Sequence, residues 1–499
     1  WRAGKNITTG TYNLAVGHEA MSANTLTGNW NSAFGRETLR DLTSGNFNVA
    51  LGFKAGENVE DAIENVAIGA YALGNVTSTS GNVAVGNEAL QGGASVAAAD
   101  TVAVGTEALK NLTSGIRNTA IGHQTLLLTT SGGQNTALGY KSGNQINTGG
   151  QNTVLGHEAA NSLSTGSHSC IIGYNAAYDL TTGSYNVCLG SEAGADLTTG
   201  GSNVAIGRNA LRNATDRNGQ VAIGQSALRQ NTSGYSNTAV GMEALDACTT
   251  GYQNTAVGEH AGRYITTGDY NTVIGRYAAL GMTTGNNNIG IGSYTFGSAA
   301  TGSNNIGVGY EAAYSITSGH TNTCIGKSSG YSVSTGTNNL LLGFNAGSVS
   351  SPSGTINSGS NVVCLGNDQI ANLYCQDTSI SSSDKRDKTD ITNFIHGLDW
   401  VNQLNPVTYR WDKRSWYDNN TPDGSKKRDQ SHIGFLAQDV LAIEGVSEKK
   451  DMLITNLNED DTAYGLKYER LVPVLVNAIK ELSTEVNTLK TKVATLEAA

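Results

Sequence analysis

Proline is scarce in this sequence, with 4 in 499 residues, where about 5% would be ordinary. Glycine, at 63 residues, lies well above its usual level of about 7%. No Gly-X-Y period accompanies it, which excludes collagen and the Pro/Gly-rich kind of disorder. Charged residues (14%) and aromatic residues (6%) are few as well. These shortages predict a thin, repetitive core rather than a thick globular one.

Basic residues are outnumbered, since 31 Lys and Arg stand against 41 Asp and Glu and give a net charge of −10. This balance argues against nucleic acid and anionic membranes as partners. No apolar run approaches about 18 residues, so we expect no membrane insertion. Six cysteines without a C-x-x-C spacing and eight scattered histidines offer no disulfide framework and no ligand set. We therefore expect no metal site and no cofactor.

The composition changes near residue 380. Residues 1–380 hold 58 of the 63 glycines and 37 charged residues, whereas the last 119 residues hold 35 charged residues. Two physically different units are therefore joined here, through the polar stretch from Gln376 to Ser383.

The first unit is an internal repeat of the pattern Asn-x-small-apolar-Gly, whose last residue is called the motif glycine below. Of the 19 intervals between 20 motif glycines, 17 are 17 residues long and the others are 18 and 19. So strict a period indicates a stack of equivalent structural units. A variant copy ends 23 residues later at Gly366. The twenty are Gly17, Gly35, Gly52, Gly69, Gly86, Gly105, Gly122, Gly139, Gly156, Gly173, Gly190, Gly207, Gly224, Gly241, Gly258, Gly275, Gly292, Gly309, Gly326 and Gly343.

Each repeat predicts one short strand. Because side chains alternate along a strand, the Asn, the small residue and the glycine share one face, and the apolar residue before the glycine lies on the other. Stacked at about 4.8 Å, the strands form a parallel ladder, in which successive Asn side chains form an amide ladder. The small residues permit close backbone approach, either within a coil or between chains. After each glycine, as in His18-Glu19-Ala20-Met21, we expect one helical turn.

The repeats of residues 11–366 resemble the head repeats of trimeric autotransporter adhesins. The resemblance rests on units such as Asn203-Val204-Ala205-Ile206-Gly207 and Asn254-Thr255-Ala256-Val257-Gly258. It implies left-handed parallel β-rolls in an intertwined homotrimer. The 17-residue period is longer than that family's, and the family's C-terminal membrane barrel is absent from this sequence.

Three motifs follow the repeats. They are Ser383-Asp384-Lys385-Arg386-Asp387-Lys388, His432-Ile433-Gly434-Phe435-Leu436-Ala437-Gln438-Asp439-Val440 and Tyr468-Glu469-Arg470-Leu471-Val472-Pro473-Val474-Leu475. In their order and in their residues, these motifs resemble the self-cleaving intramolecular chaperone domain of phage endosialidases and other phage tail fibres. The motif residues that carry the resemblance include Asp384, Arg386, Gly434, Phe435, Gln438 and Asp439.

The resemblance implies a Ser/Lys dyad, with Ser383 as nucleophile and Lys388 as general base. The bond broken would be Ser382–Ser383, on the nucleophile's own N-terminal side. A serine hydroxyl needs a neighbouring base to take its proton, and a desolvated lysine can serve as that base. Asp387 stands where the family usually has Leu. Apart from the downstream motifs, a Ser and a Lys five residues apart are more often plain solvated surface.

A heptad pattern ends the chain and predicts a parallel coiled coil over residues 470–497. β-branched residues alternate with Leu at the core positions, a pairing that leans towards dimers; the trimer rests on the resemblance. The core positions are Val472, Leu475, Ile479, Leu482, Val486, Leu489, Val493 and Leu496.

The predicted fold is mainly β: a parallel β-solenoid or β-roll shaft of about twenty repeats in a homotrimer, then a small α+β chaperone domain that ends in the coiled coil. We divide the chain into an N-terminal fragment (1–10), repeats (11–366), a neck (367–382) and the chaperone autoprotease domain (383–499).

Two classes of function remain open. The first is a phage tail fibre in the virion, which binds a glycan or protein receptor on the host surface and assembles with other tail proteins. The second is a glycan-degrading tailspike; a cellular trimeric adhesin at the cell surface is a further alternative. The repeats contain no insertion long enough for a catalytic pocket and few acids, which favours the first. We expect no activity on external substrates.

Overall fold

A computed structural model describes residues 2–92, 98–370, 383–417, 419–458, 461 and 463–498. The chain forms two compact units, Trp1–Thr323 and Cys324–Ala499. Among the described helices, none combines the length and the apolar character needed to cross a membrane.

The first unit is a parallel β-solenoid in which each repeat supplies one strand of three residues. The strands are β1 (Leu14–Val16), β2 (Ser32–Phe34), β3 (Val49–Leu51), β4 (Val66–Ile68), β5 (Val83–Val85), β6 (Val102–Val104), β7 (Thr119–Ile121), β8 (Thr136–Leu138), β9 (Thr153–Leu155), β10 (Cys170–Ile172), β11 (Val187–Leu189), β12 (Val204–Ile206), β13 (Val221–Ile223), β14 (Thr238–Val240), β15 (Thr255–Val257), β16 (Thr272–Ile274), β17 (Ile289–Ile291) and β18 (Ile306–Val308). The predicted mainly β solenoid is therefore confirmed.

The register of the sheet follows the repeat. In β12 and β13, Ala205 lies beside Ala222 and Ile206 beside Ile223. The ladder continues outside the strands, because the N–H of Val204 donates to the carbonyl of Gln220 at 2.8 Å and that of Gly207 to Leu189 at 2.8 Å. Each coil is thereby bonded to the coils on both sides of it.

The inward face of the strands carries the small residue and the Asn, as predicted. Ala205 and Asn254 are fully buried, so the small residues make room inside the coil. The Nδ2 of Asn254 donates to Asn237 Oδ1 (3.2 Å) and to the carbonyl of Gly268 (2.7 Å), and its Oδ1 accepts from Asn271 Nδ2 (3.0 Å). The predicted amide ladder is confirmed, and it satisfies buried polar groups that would otherwise oppose folding.

The motif glycine is required by backbone conformation and by space. Gly241 has a φ of +134°, and a Cβ at this position would lie 2.4 Å from the carbonyl oxygen of Gly258 in the neighbouring coil. No side chain fits a gap of that size, so the glycine sets how closely successive coils stack.

The prediction of a helical turn after the motif glycine is wrong. The second and fourth residues after it have left-handed backbone, as in Glu19 (φ 55°) and Met21 (φ 47°). Such residues interrupt an α-helix, and their N–H groups bond along the solenoid axis; the N–H of Glu192, for example, donates to the carbonyl of Tyr174 at 2.8 Å. Stacking on neighbouring coils therefore overrides the local helical preference.

The second unit contains the last coils and the C-terminal module, defined here as residues 383–498. Strand β19 (Thr323–Ile325) starts at the boundary between the units, and β20 (Leu340–Leu342) pairs in parallel with β21 (Val363–Leu365). The module contains α1 (Leu398–Val401), β22 (Val407–Arg410), β23 (Ser431–Gly434), α2 (Ala437–Glu444), β24 (Thr455–Leu457), β25 (Tyr464–Leu466) and α3 (Leu471–Glu497).

The module has a small core of its own. Strands β22 and β23 form one antiparallel pair, and β24 and β25 form another. Helices α1 and α3 contact each other, and α2 contacts β24 and β25. The three helices meet in a buried cluster of Trp400, Val440, Ile454, Leu471 and Val474. This α+β core holds the N-terminal turns of α3 in place.

Candidate functional site

Ser383 and Lys388 meet at the start of the C-terminal module. Lys388 Nζ donates a hydrogen bond to Ser383 Oγ at 2.6 Å, and both residues are exposed in the single chain. An amine and a hydroxyl at this distance are placed for proton transfer. Ser382, on the other side of the proposed scissile bond, lies outside the described residues.

A short turn brings the lysine back to the serine. Residues Lys385–Asp387 form one 3₁₀ turn, and the Asp384 carboxylate caps it by accepting the N–H of Arg386 at 2.9 Å. Arg386 also returns its guanidinium to the same carboxylate, through Nε at 3.0 Å and Nη2 at 2.6 Å. The hydrogen bonds from Arg386 lower the pKa of Asp384. Asp384 and Arg386 thus hold the turn that places Lys388 on Ser383.

Asp387 occupies the exposed last position of this turn, directly before Lys388. The position is not buried by the rest of the single chain. The less efficient cleavage that this departure from the family's Leu implies stays a prediction from the sequence.

Gly434 and Phe435 connect the second motif to the third. A Cβ on Gly434 would lie 2.5 Å from the Tyr468 hydroxyl, and that hydroxyl accepts the N–H of Phe435 at 3.1 Å. The Phe435 ring also packs against the buried core cluster and stacks on Tyr468. These residues fix the frame of the module.

Gln438 and Asp439 are exposed in the first turn of α2. None of the hydrogen bonds described for this part of the chain links them to Ser383 or Lys388. The geometry therefore groups four of the motif residues, Ser383, Asp384, Arg386 and Lys388, and places the other four elsewhere in the module.

Glu444, at the end of α2, was not identified from the sequence. Its carboxylate accepts the N–H groups of Ile454 (2.7 Å) and Thr455 (3.1 Å) as well as the Thr455 hydroxyl (2.5 Å). Burial alone would raise the pKa of Glu444, but the hydrogen bonds from Thr455 and the backbone outweigh it and lower the pKa. No motif marks this residue, because its partners lie ten residues away in a segment without periodic pattern.

The long helix α3 has two different apolar faces. Leu471, Val474 and Ala478 are buried against the module. Six of the eight predicted coiled-coil residues, those between Val472 and Leu496, face solvent along the rest of the helix and are 41–66% exposed in the single chain. They are Leu475, Ile479, Leu482, Val486, Leu489 and Val493.

A polar cleft of about 440 Å³ lies where the segment after β21 meets the module. Ser415 Oγ donates to Asp368 Oδ2 at 2.6 Å, and Lys413 Nζ donates to the Asp368 carbonyl at 3.3 Å. Burial lowers the pKa of Lys413. These contacts attach the start of the neck to the module, and we assign no ligand to the cleft.

One group in the first unit has the composition of a metal site. Ligand atoms of His18, Glu19 and Glu37 lie within 4.8 Å of one another. Glu37, however, already pairs with Arg36 (2.8 Å) and Lys54 (3.3 Å), so a metal ion would have to displace two cations. We assign no metal to this group.

Comparison with known proteins gives a match in the C-terminal module. The model of the peptidase S74 family, described as chaperone of endosialidase, matches residues 383–448. The matched segment begins at Ser383 and contains the Ser383–Lys388 turn and the second motif. No curated protein matches the chain.

Proposed function

We propose that this chain forms a homotrimeric phage tail fibre that attaches to the host surface, and that its C-terminal module aligns three chains and then cleaves itself off before Ser383. The observation that carries the proposal is the 2.6 Å hydrogen bond from Lys388 to Ser383. It lies at the first residue of the segment similar to the endosialidase chaperone, directly after a long repeat shaft.

The cleavage follows from ordinary serine chemistry. Lys388 takes the proton of Ser383 Oγ, and Oγ attacks the carbonyl carbon of Ser382. The C–N bond to Ser383 breaks, the lysine returns the proton to the departing nitrogen, and residue 382 is left as an ester on Oγ. Water then hydrolyses this ester, giving a new carboxylate on residue 382 and a free amino group on Ser383.

Assembly provides the natural trigger for this reaction. A lysine amine accepts a proton only when it is neutral, and removal from water favours the neutral form. Ser383 and Lys388 are exposed in the single chain, so neighbouring chains of a trimer would supply the burial. Cleavage then reports that three chains have come together correctly.

Two exposed apolar surfaces support association of several copies. One is the coiled-coil seam of α3, for which the partner is another copy of the same helix. The other is the outward face of the solenoid strands, where Leu51, Leu138 and Ile291 are 40–49% exposed. Every outward position of β1–β18 is uncharged, as expected for a surface that is buried on assembly.

The remaining parts of the proposal concern the mature particle. The shaft resides in the virion, joins other tail proteins and presents its surface to a glycan or protein receptor of the host. A solenoid of this kind is suited to host attachment, because a short repeated sequence builds a long stack of coils that extends the binding surface far from the particle.

The test is a denaturing gel of freshly expressed full-length chain with N-terminal sequencing of the smaller band. We expect a shaft fragment and a fragment that begins at Ser383. Ser383→Ala removes the nucleophile and Lys388→Ala the base, so each leaves one intact band. Lys385→Ala is the matched control, because this lysine lies in the same exposed turn and should leave cleavage unchanged. Cleavage that persists in Ser383→Ala, or a cut at another bond, contradicts the proposal.

A further inference from the structure

The turn that carries Ser383 and Lys388 joins the core of the module through residues 389–397, called the connecting segment below. The hydrogen bonds described for the turn all stay within it. The connecting segment contains no helix or strand, and its side chains are exposed up to His396. The contacts that hold this segment therefore decide where the turn lies relative to the module.

Asn477, on α3, holds the end of the connecting segment. Its Nδ2 donates to the carbonyl oxygens of Phe394 at 2.8 Å and of His396 at 3.3 Å. Phe394 follows Lys388 by only six residues. The stretch of chain that is free between the turn and α3 is therefore short.

Glu481, one helical turn further along α3, binds the next part of the chain. Its carboxylate accepts the N–H of Leu398 at 2.6 Å. Gly397 lets the carboxylate approach, because a Cβ at this position would clash with it. Trp400, two residues after Leu398, belongs to the buried core cluster. The polar contacts of α3 thus extend the hold of this core towards the turn.

The same stretch of α3 carries the start of the coiled-coil seam. Leu475, Ile479 and Leu482 are core positions of the heptads and are 45–66% exposed in the single chain. Asn477 and Glu481 lie between them in sequence but outside the core positions. A partner helix on the seam therefore leaves their contacts with the connecting segment intact.

Helix α3 has no packing partner beyond Ala478 in the described part of the single chain. Its buried residues are Leu471, Val474 and Ala478, and residues 479–498 are exposed. Most of the stability of a helix in a protein comes from packing of its apolar face. This part of α3, which includes Glu481, therefore gains its main support when the seam is buried by other copies.

We propose that Asn477 and Glu481 are positioning residues for self-cleavage, which transmit formation of the seam to the turn that carries Ser383 and Lys388. This inference rests on the proposed function. Burial of the seam fixes the helical turns that carry the two side chains, and these side chains fix the connecting segment. Neither residue touches the reacting atoms.

Position matters more for this reaction than for the stability of the module. Exposed hydrogen bonds compete with water and add little to the free energy of folding. Attack by Ser383 Oγ requires the reacting atoms to lie about 3–3.5 Å apart, and a misplacement of about 1 Å can slow a reaction about a hundredfold. Loss of Asn477 or Glu481 should therefore slow cleavage while the module stays folded.

The test is the rate of self-cleavage of the full-length chain, followed on denaturing gels after cell-free synthesis is stopped. Glu481→Ala should slow the appearance of the two fragments about tenfold or more, and Asn477→Ala should slow it in the same way. Glu481→Gln should restore most of the rate, because its amide oxygen still accepts the N–H of Leu398. A purely electrostatic role of Glu481 would not allow this rescue.

Lys480→Ala is the matched control. Lys480 is an exposed charged residue next to Glu481 and outside the seam, and none of the hydrogen bonds described for its side chain reaches the connecting segment. This variant should be cut at the rate of the wild type. Equal slowing in Lys480→Ala and Glu481→Ala would overturn the inference.

Solution mass and urea unfolding, measured with Ser383→Ala added to keep the chain uncut, separate positioning from folding and assembly. We expect Glu481→Ala to remain trimeric with the unfolding midpoint of its parent. Loss of the trimer, a lowered midpoint, or cleavage of Glu481→Ala at the wild-type rate overturns the inference and leaves the proposed function standing. A wild-type chain that is never cut overturns the proposed function, and this inference with it.

Discussion

At the scale of single residues, the repeat assigns one physical task to each position. The motif glycine allows the close stacking of coils, the Asn satisfies buried polar groups, and the small residue fills what little space the coil interior has. A narrow interior of this kind tolerates loss or gain of volume poorly. The outward residues next to them are free of that constraint.

Replacing Ala205 with Leu tests this division of tasks. Ala205 is fully buried inside the coil, so three additional carbons per chain overpack the interior at a cost of about 1–3 kcal/mol. Thermal denaturation should show a lower midpoint. Glu243→Gln is the comparison, because Glu243 is partly exposed and pairs with Arg263. Ion pairs near the surface contribute about 0–1 kcal/mol. The opposite order of midpoints would contradict the assignment of inward and outward faces.

At the scale of elements, the strands and the long helix could be predicted from periodic patterns, whereas the segments that connect them could not. The alternation Asn-Val-Ala-Ile-Gly predicts the strand around Ala205, and the heptads over 470–497 predict α3, which spans Leu471–Glu497. The turn after the motif glycine was misassigned because left-handed residues such as Met21 owe their conformation to neighbouring coils. Glu444 was missed because most of its hydrogen bonds come from backbone groups, which no side-chain pattern reveals.

The Glu444 carboxylate should make the stability of the module depend on pH. Its pKa is lowered in the folded state, so its contribution is present above the unfolded pKa of about 4.3 and is lost as pH falls through the lower folded value. Glu444→Gln should destabilise the module by about 1–2 kcal/mol at pH 7, since an amide cannot accept from all of these donors. The difference from wild type should shrink at pH 3.

Urea unfolding followed by tryptophan fluorescence measures this effect, because Trp400, Trp411 and Trp416 lie in the module. Thr455→Val, which removes one donor of the set, should give a smaller change in the same direction. A difference that stays constant between pH 7 and pH 3 would show that the charge of Glu444 does not stabilise the module.

The exposed seam of α3 should be required for cleavage. Leu482→Asp with Leu489→Asp places charge at two core positions one heptad apart, so we expect loss of assembly and an uncut chain. Thr484→Asp with Thr491→Asp introduces the same charges at the same spacing outside the seam and should still assemble and cut. Solution mass and a denaturing gel measure both outcomes. If a seam variant that does not assemble were still cleaved efficiently, cleavage by Ser383 and Lys388 would not depend on trimer formation.

At the scale of the whole molecule, the fold class and the C-terminal module were within reach of the sequence, whereas the assembly is a property of several chains. The strict 17-residue period predicts the solenoid, and three separated motifs indicate the chaperone module. The apolar strand face and the seam of α3 are both exposed in the single chain. Their burial in a homotrimer is the step on which the fibre and the trigger for cleavage both depend.

The native mass of the full-length Ser383→Ala chain tests that step most directly, because this variant should stay uncut and give a single species. We expect three copies of the 51.8 kDa chain, a particle of about 155 kDa with closed threefold symmetry. A well-behaved monomer or dimer at the same concentration would contradict it.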